Sequence, residues 1–387
     1  MGMRRRLGLG VAGLALAAGP LAAQAEPRPA ARTEASLDEI LEPIRAEFEV
    51  PALAALVLRD GEVRAIGSAG LRSRGDEARV TVDDLWHLGS CTKAMTATLC
   101  ATLVAEGRIA WDTSLAAAFP ELGEDLHEGF REVTLRQLLQ HRAGLPANPT
   151  RDGLWRELYA WDGPTRAARE RVVRDVLGTA PEHAPGSAFL YSNTGYMVAG
   201  AVAERVTGRS WEELMQERVF APLGITTAGF GPPGSAEHLD QPRAHRGRLR
   251  GIAPGPTADN PPALGPAGTV HMSLRDWARF VALHLGALDG EAAILDAERL
   301  AELHEGVGRD GAEPYALGWG VAARPWAEGP VLTHAGSNTM WFAVVWADPA
   351  SEFAVLAVSN QGGDQGAQAT DRACAALIGR FGPRVGR

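Results

Sequence analysis

Leu88-Gly89-Ser90-Cys91-Thr92-Lys93 runs from a short loop into an alanine-rich stretch, Ala94 to Glu106. Ala94, Ala97, Ala101 and Val104 recur there at helical spacing, and Gly107 ends the run. Ser90 therefore stands at or near a helix start, with Lys93 three residues on and on the same face. A serine hydroxyl is a poor nucleophile until a base takes its proton. A lysine one turn away can serve if burial or positive surroundings lower its pKa from about 10.4. The free N–H groups of a helix start can also donate to developing negative charge. Ser-x-x-Lys alone is a short pattern, so its meaning rests on what else the chain holds.

The chain has 387 residues, 45% of them hydrophobic, enough for one large core or two domains. The formal charge is −9, and no basic patch stands out, so nucleic acid is not expected as a partner. Met1 to Ala25 has the form of a secretory signal. Arg4, Arg5 and Arg6 are followed by an apolar run from Leu7 to Leu21 and an Ala23-Gln24-Ala25 cleavage site. Its removal takes the formal charge from −9 to −12. Export to a bacterial periplasm or the medium is expected, with no stable membrane anchor after cleavage, because no later segment is apolar for long enough to span.

Export permits disulfides, yet the chain has three cysteines, Cys91, Cys100 and Cys374. Cys91 and Cys100 fall on roughly opposite faces of one predicted helix and should not pair. All three read as small buried residues. Cys91 is a rival nucleophile, but its spacing of two from Lys93 puts the two side chains on different helix faces.

Residues 26–36 read as a loose leader. Leu37 to Phe48 has helical spacing. Ala52 to Leu58 and Glu62 to Ser68 read as strands joined by Arg59-Asp60-Gly61, a hairpin signal. From Ser90 to about Leu303 the pattern is mostly helix and loop, with helices over Leu135–His141, Arg166–Leu177, Tyr196–Val206, Trp211–Val219 and Arg275–Leu288. Gly229 to Pro266 is rich in Gly and Pro and reads as one long loop. Strands return at Ala316–Ala322, Trp341–Ala347 and Phe353–Ser359, and Gln365–Phe381 closes the chain as a helix. The pattern gives an α/β chain of the α+β type. An antiparallel sheet built from both chain ends (37–89 and 304–387) is flanked by helices, and the middle (90–303) forms a mostly helical domain. Ser90 then lies at the junction, where ligand pockets tend to occur.

Two further motifs bear on chemistry. Tyr191-Ser192-Asn193 follows Pro185-Gly186. In extended chain, residues two apart point the same way, so Tyr191 and Asn193 can face one site. Tyr191 is open to two readings, proton exchange with a leaving group or a buried tyrosine with its hydroxyl satisfied. Thr333-His334-Ala335-Gly336-Ser337-Asn338 comes near the start of the next-to-last predicted strand. His334 can face the site there, and Gly336 can let a substrate approach the backbone. The histidines form no H-E-x-x-H pair or dense cluster, so neither a metal nor another cofactor is expected.

With these three motifs the sequence resembles the serine β-lactamase-like hydrolases of the class C β-lactamase, D-aminopeptidase and carboxylesterase type. That family has Ser-x-x-Lys, then Tyr-x-Asn about a hundred residues on, then Lys-Thr-Gly or His-x-Gly near the C-terminus. Here Tyr191 comes 101 residues after Ser90. Gln140-His141-Arg142-Ala143-Gly144-Leu145 resembles the family's His-Thr-Ser-Gly-Leu, and Pro266-Ala267-Gly268 through Asp276 resembles its Gly-Gly loop. The likeness runs over about residues 37–380 and implies the β-lactamase/transpeptidase-like fold. It also implies roles. Ser90 is the acylated nucleophile, activated by Lys93 with Tyr191 as partner acid and base, and which of the two takes the serine proton is left open. Asn193 orients substrate and Lys93, and His334 and Gly336 line the site. The backbone N–H groups of Ser90 and Ser337 form the oxyanion hole.

The third motif departs from Lys-Thr-Gly. A histidine is largely neutral at pH 7 and recognises a carboxylate less well than lysine. The expected reaction is therefore cleavage of a small ester, amide or peptide substrate through acyl-Ser90, with weak or no β-lactamase activity. A D-peptidase or true β-lactamase is the second reading, and a catalytically silent ligand-binding relative the third.

Overall fold

The computed structural model describes residues 1–2, 34–309 and 311–383. The expected signal segment from residue 3 onward, and the expected leader before Glu34, lie outside the described residues. A nine-stranded sheet is built from β1 (Ala35–Ser36), β2 (Ala52–Arg59), β3 (Glu62–Gly70), β7 (Val307–Arg309), β8 (Ala312–Tyr315), β9 (Gly320–Ala322), β10 (Val331–Gly336), β11 (Phe342–Asp348) and β12 (Phe353–Ser359). Its order is β1-β3-β2-β12-β11-β10-β9-β8-β7. Both ends of the described chain thus meet in it, with β2 and β12 side by side in antiparallel register, Leu56 opposite Leu356. The β2–β3 turn is Asp60-Gly61. Both residues have positive φ, 54° and 71°, as a two-residue hairpin of right-handed twist requires.

β2 and β12 read as continuous apolar runs because both of their faces are covered. Ala54, Leu56, Leu58, Leu356 and Val358 face an inner core shared with the helix that carries Lys93. Leu53, Ala55, Val57, Val355 and Ala357 face an outer layer. That layer is made by the first helix, Asp38–Glu47, through Leu41 and Ile44, and by the closing helix, Gly363–Phe381, through Ala369, Ala373 and Leu377. Alternation of side chains along a strand divides them between the two layers.

The serine helix, Thr92–Ala105, is buried on every side, each residue from Thr92 to Leu103 being covered. That explains its lack of a polar face. A smaller sheet of β4 (Leu85–His87), β5 (Gly229–Phe230) and β6 (Val270–Ser273), in the order β4-β6-β5, leads into it.

Several expectations are corrected. The loose leader ends in β1, which pairs parallel to β3, Ala35 opposite Ala65, so the sheet is not wholly antiparallel. The middle of the chain contains the small sheet as well as helices. The expected strand Ala316–Ala322 is a strand only from Gly320, because Ala316 to Trp319 turns back on itself, the Ala316 N–H donating to the Trp319 carbonyl at 2.7 Å. The third motif has a strand of its own, β10, and does not begin β11. The helix expected to run to Leu288 ends at His284, with Gly286 at φ 71°. Among the described residues no helix is long and apolar enough to cross a membrane.

Buried charge fixes the helix that carries the Tyr-x-Asn motif. Arg169, on helix Thr165–Leu177, is fully covered and donates to Glu204 at 2.6 Å and to Glu212 at 2.7 Å. Glu204 lies on helix Asn193–Thr207 and also accepts the Trp211 N–H at 2.9 Å. Removing one partner of a buried pair leaves an uncompensated charge. Arg169→Met is therefore expected to destabilise the fold by about 3–5 kcal/mol, read as a lower urea midpoint at unchanged m-value.

Candidate active site

Ser90 lies in a single tight turn, Gly89–Cys91, that feeds the serine helix. Two close approaches hold this turn. A Cβ on Gly336 would fall 2.0 Å from the Leu88 carbonyl oxygen and 2.8 Å from the Ser90 nitrogen. A Cβ on Gly89, whose φ is +50°, would fall 2.4 Å from the Ser337 nitrogen. The end of β10 and the serine turn therefore touch backbone to backbone, and the N–H groups of Ser90 and Ser337 are brought into one place. Gly336 thus makes room for the chain's own turn, a neighbour its place in the sequence did not show.

Lys93 is completely buried. Its Nζ lies 3.1 Å from Ser90 Oγ, 2.7 Å from Asn193 Oδ1 and 2.7 Å from the Ala267 carbonyl oxygen. It also sits over the Tyr191 and Tyr196 rings, 4.8 and 5.4 Å from their centroids. Each contact has a local cause. Ser192 caps helix Asn193–Thr207 by accepting the Gly195 N–H, which sets Asn193 in the first turn. Asn193 Nδ2 donates to Asn148 Oδ1 at 2.8 Å, so Oδ1 is the atom turned to Lys93. Ala267 comes just before β6, which is held to the serine helix where the Val270 N–H donates to Thr92 Oγ1.

Burial holds the Lys93 amine well below the ordinary lysine range. A neutral amine has two N–H donors and one lone pair. Asn193 Oδ1 and the Ala267 carbonyl only accept, so they take both donors. The lone pair is left for the Ser90 O–H, which then donates. Burial pushes the Tyr191 hydroxyl up, partly opposed by its interaction with the Ser90 side chain, and Tyr191 is neutral. Burial also raises the Cys91 thiol, which contacts the His334 carbonyl at 3.6 Å and does not reach the site as a nucleophile. All three cysteines are buried and free.

His334 is buried, and burial holds its pKa down to about 3. Its Nδ1–H donates to the Ala335 carbonyl at 2.7 Å, and its Nε2 accepts from the Tyr315 hydroxyl at 3.1 Å. Ser90, Lys93, Tyr191, Asn193, His334, Gly336 and Ser337, far apart in sequence, thus meet in one place.

The sequence reading missed several neighbours. His141 has φ +59° at the end of helix Leu135–Leu139, and its ring lies 4.3 Å from Tyr191 and 4.8 Å from Tyr315. Its Nδ1 accepts the Ser192 N–H at 3.0 Å, tying the aromatic wall to the helix cap. The likeness of Gln140-His141-Arg142-Ala143-Gly144-Leu145 to a family motif was the available signal. Tyr315 and the Ala267 carbonyl gave none. Trp319 and Trp341 are buried core residues. One cavity of about 430 Å³ reaches Tyr191, Tyr315 and His334. Another of about 700 Å³, walled by Tyr159, Trp161, Phe230 and Pro262, reaches Asn260 and Thr269.

The sequence model of the Beta-lactamase family matches residues 37–379. The chain belongs to that family. It is an enzyme of the serine hydrolase kind, and its fold is that of the family. It is 29% identical to penicillin-binding protein 4 of Amycolatopsis lactamdurans over 332 residues, 84% of each chain. It is 32% identical to lovastatin esterase of Penicillium rubens over 235 residues, 56% of this chain and 55% of the esterase. A crystal structure of a class C β-lactamase from Rhodobacter sphaeroides superposes with a TM-score of 0.70 at 21% identity, covering 87% of this chain and 97% of that one.

The two glycine approaches generate a test. Gly336→Ala must push the serine turn away from β10 and separate the two N–H groups. The rate at which a fluorophosphonate labels Ser90 is expected to fall by about 10²-fold, in line with the loss of one oxyanion donor. Circular dichroism should report an intact fold.

Proposed function

We propose that the chain hydrolyses a small, uncharged ester, with amides as slower substrates, in two acyl transfers through Ser90. The observation that carries this is the Lys93 amine, buried and 3.1 Å from Ser90 Oγ, with both other polar contacts made to groups that only accept. The neutral amine takes the Ser90 proton while Oγ forms a bond to the substrate carbonyl carbon. The carbonyl electron pair moves to its oxygen, which the N–H groups of Ser90 and Ser337 receive, each donor worth roughly 3 kcal/mol of barrier. The carbonyl re-forms, the bond to the leaving oxygen or nitrogen breaks, and the neutral Tyr191 hydroxyl passes it a proton while regaining one from the Lys93 ammonium. Water, deprotonated by the same amine, attacks acyl-Ser90, the acyl carbon–Oγ bond breaks, and the Lys93 ammonium returns its proton to Ser90 Oγ.

Tyr191 in this reading relays a proton as a neutral phenol, since burial disfavours the phenolate. The preference for an ester rests on the third motif. His334 is neutral and engaged at both ring nitrogens, so it offers no cation to a substrate carboxylate. Likeness to lovastatin esterase supports the ester, and likeness to penicillin-binding protein 4 keeps a D-peptidase as the alternative. The amino-terminal signal pattern supports export.

Purified mature protein and Ser90→Ala should be treated with a fluorophosphonate and then assayed on short p-nitrophenyl esters, a D-Ala-D-Ala peptide and nitrocefin. Label on the Ser90 peptide alone, with ester turnover well above the other two, is expected. No label on folded protein, or nitrocefin turnover above ester turnover, rules the reading out. A pH profile tests the base. Lys93 must be neutral to act, so kcat/KM should rise with pH through its lowered pKa and reach its plateau below the pH at which an ordinary lysine deprotonates. Lys93→Arg, which stays protonated, should lose at least about 10³-fold.

A further inference from the structure

His87, Asp259 and Asn338 form a buried network that the proposed chemistry does not use. All three are at least nine-tenths covered. The Gly89 N–H donates to His87 Nδ1 at 3.1 Å. That leaves the imidazole proton on Nε2, which donates to Asp259 Oδ2 at 2.8 Å. Asn338 Nδ2 donates to the other oxygen, Oδ1, at 2.8 Å, and the Asn260 N–H donates to the same oxygen at 2.7 Å. The Asn338 amide cannot turn round, because its Oδ1 already accepts the N–H groups of Met340 and Trp341, each at 3.1 Å. Every donor therefore has one acceptor arrangement, and the carboxylate of Asp259 is the centre of it.

The placement matters more than the count. His87 ends β4, three residues before Ser90, and its ring holds the N–H of Gly89, the residue that precedes the nucleophile. Asn338 follows Ser337. The Asp259 carboxylate therefore joins the two segments that carry the N–H groups of Ser90 and Ser337. It does so from the Gly- and Pro-rich stretch 229–266, whose part in the molecule the sequence left open. The His87 ring also lies 6.5 Å from the ring of Trp341, which ends the 338–341 turn.

We propose that Asp259 is a positioning residue. Through His87 and Asn338 its carboxylate sets the separation and direction of the Ser90 and Ser337 N–H groups, and hence how well they receive the oxyanion. This rests on the acyl-Ser90 reading above. A carboxylate serves because it accepts from both sides at once. An amide at 259 would turn an NH₂ toward either the His87 Nε2–H or the Asn338 NH₂, and His87 cannot move its proton to Nδ1 while that atom accepts from Gly89.

Asp259→Asn and Asn338→Ala should be compared with the parent on the best p-nitrophenyl ester and with an arylboronic acid, whose tetrahedral Ser90 adduct puts an oxygen in the hole. The expected result is a 10- to 100-fold fall in kcat for Asp259→Asn with KM changed less than about threefold, and a matching loss of boronate affinity. Asn338→Ala should behave similarly, and the double variant should be no worse than about the poorer single one, because both break the same link. Circular dichroism and thermal midpoints confirm that the variants are folded, and Asn338→Ala carries the test alone if Asp259→Asn is not. Folded variants with kcat within twofold of the parent, or with kcat lowered but boronate affinity unchanged, overturn the proposal. Labelling of parent Ser90 by a fluorophosphonate is read first. Its absence refutes the acyl-Ser90 reading, whereas its presence with unaffected variants refutes only the role of Asp259.

Discussion

A lysine amine with no access to water governs the arrangement. A charged ammonium so placed costs several kcal/mol in lost hydration unless its partners replace water. Here the partners are two carbonyl oxygens, one hydroxyl and the faces of two tyrosine rings. They do not include a carboxylate, and the absence is the point. A carboxylate at 3 Å would hold the proton on the amine and raise its pKa. Neutral acceptors leave the amine free to lose it. The all-round burial of the serine helix follows from the same need, since a solvent-facing Lys93 would keep its ordinary charge.

That requirement then dictates how close the surrounding backbone must come. Four segments from distant parts of the chain supply the partners and the two N–H groups: the turn at Ser90, the strand ending at Gly336, the segment around Ala267, and the stretch from Tyr191 to Tyr196. Glycines at 89 and 336 let the first two meet, with distances that no side chain allows. Gly268 packs against Gly89 from the third. The large sheet supplies rigidity for β10, the small sheet aligns β4 with β6, and the buried Arg169 cluster fixes the helix that begins at Asn193. The site is thus a meeting of backbone segments, with few side chains doing the chemistry.

The parts legible in the sequence are those written in side chains. Ser90, Lys93, Tyr191, Asn193 and His334 stood out because each type, at its spacing, has a chemical use, and the structure gathers them. β2, β3, β11 and β12 were legible because their runs are long and apolar, and the Asp60-Gly61 turn marks the hairpin. β4, β5, β7 and β8 were not, since strands of two to four residues carry no alternation to read. The Ala267 carbonyl was invisible for another reason. Any residue has a carbonyl, and only tertiary structure aims it. Asp259 was hidden inside a segment without periodicity, where one acid among many polar residues has no distinguishing pattern. Gly336 was noticed, but its approach to the serine turn was not, because a glycine records that something comes close and not what.

The histidine of the third motif fits the same electrostatic logic as the lysine. A cation at position 334 would stand in the field of Lys93 and depress its basicity further, while offering a fixed charge to a substrate. His334 does neither, since burial keeps it neutral and Ala335 and Tyr315 occupy both its nitrogens. When Lys93 takes up a proton, the new charge therefore meets carbonyl oxygens and ring faces already turned toward it, and His334 adds no charge to oppose it. When it gives the proton up, the same two oxygens still have N–H donors. The site can pass through both protonation states of its one amine without rearranging, which is the condition for electrostatic stabilisation that needs no reorganisation at the moment of reaction.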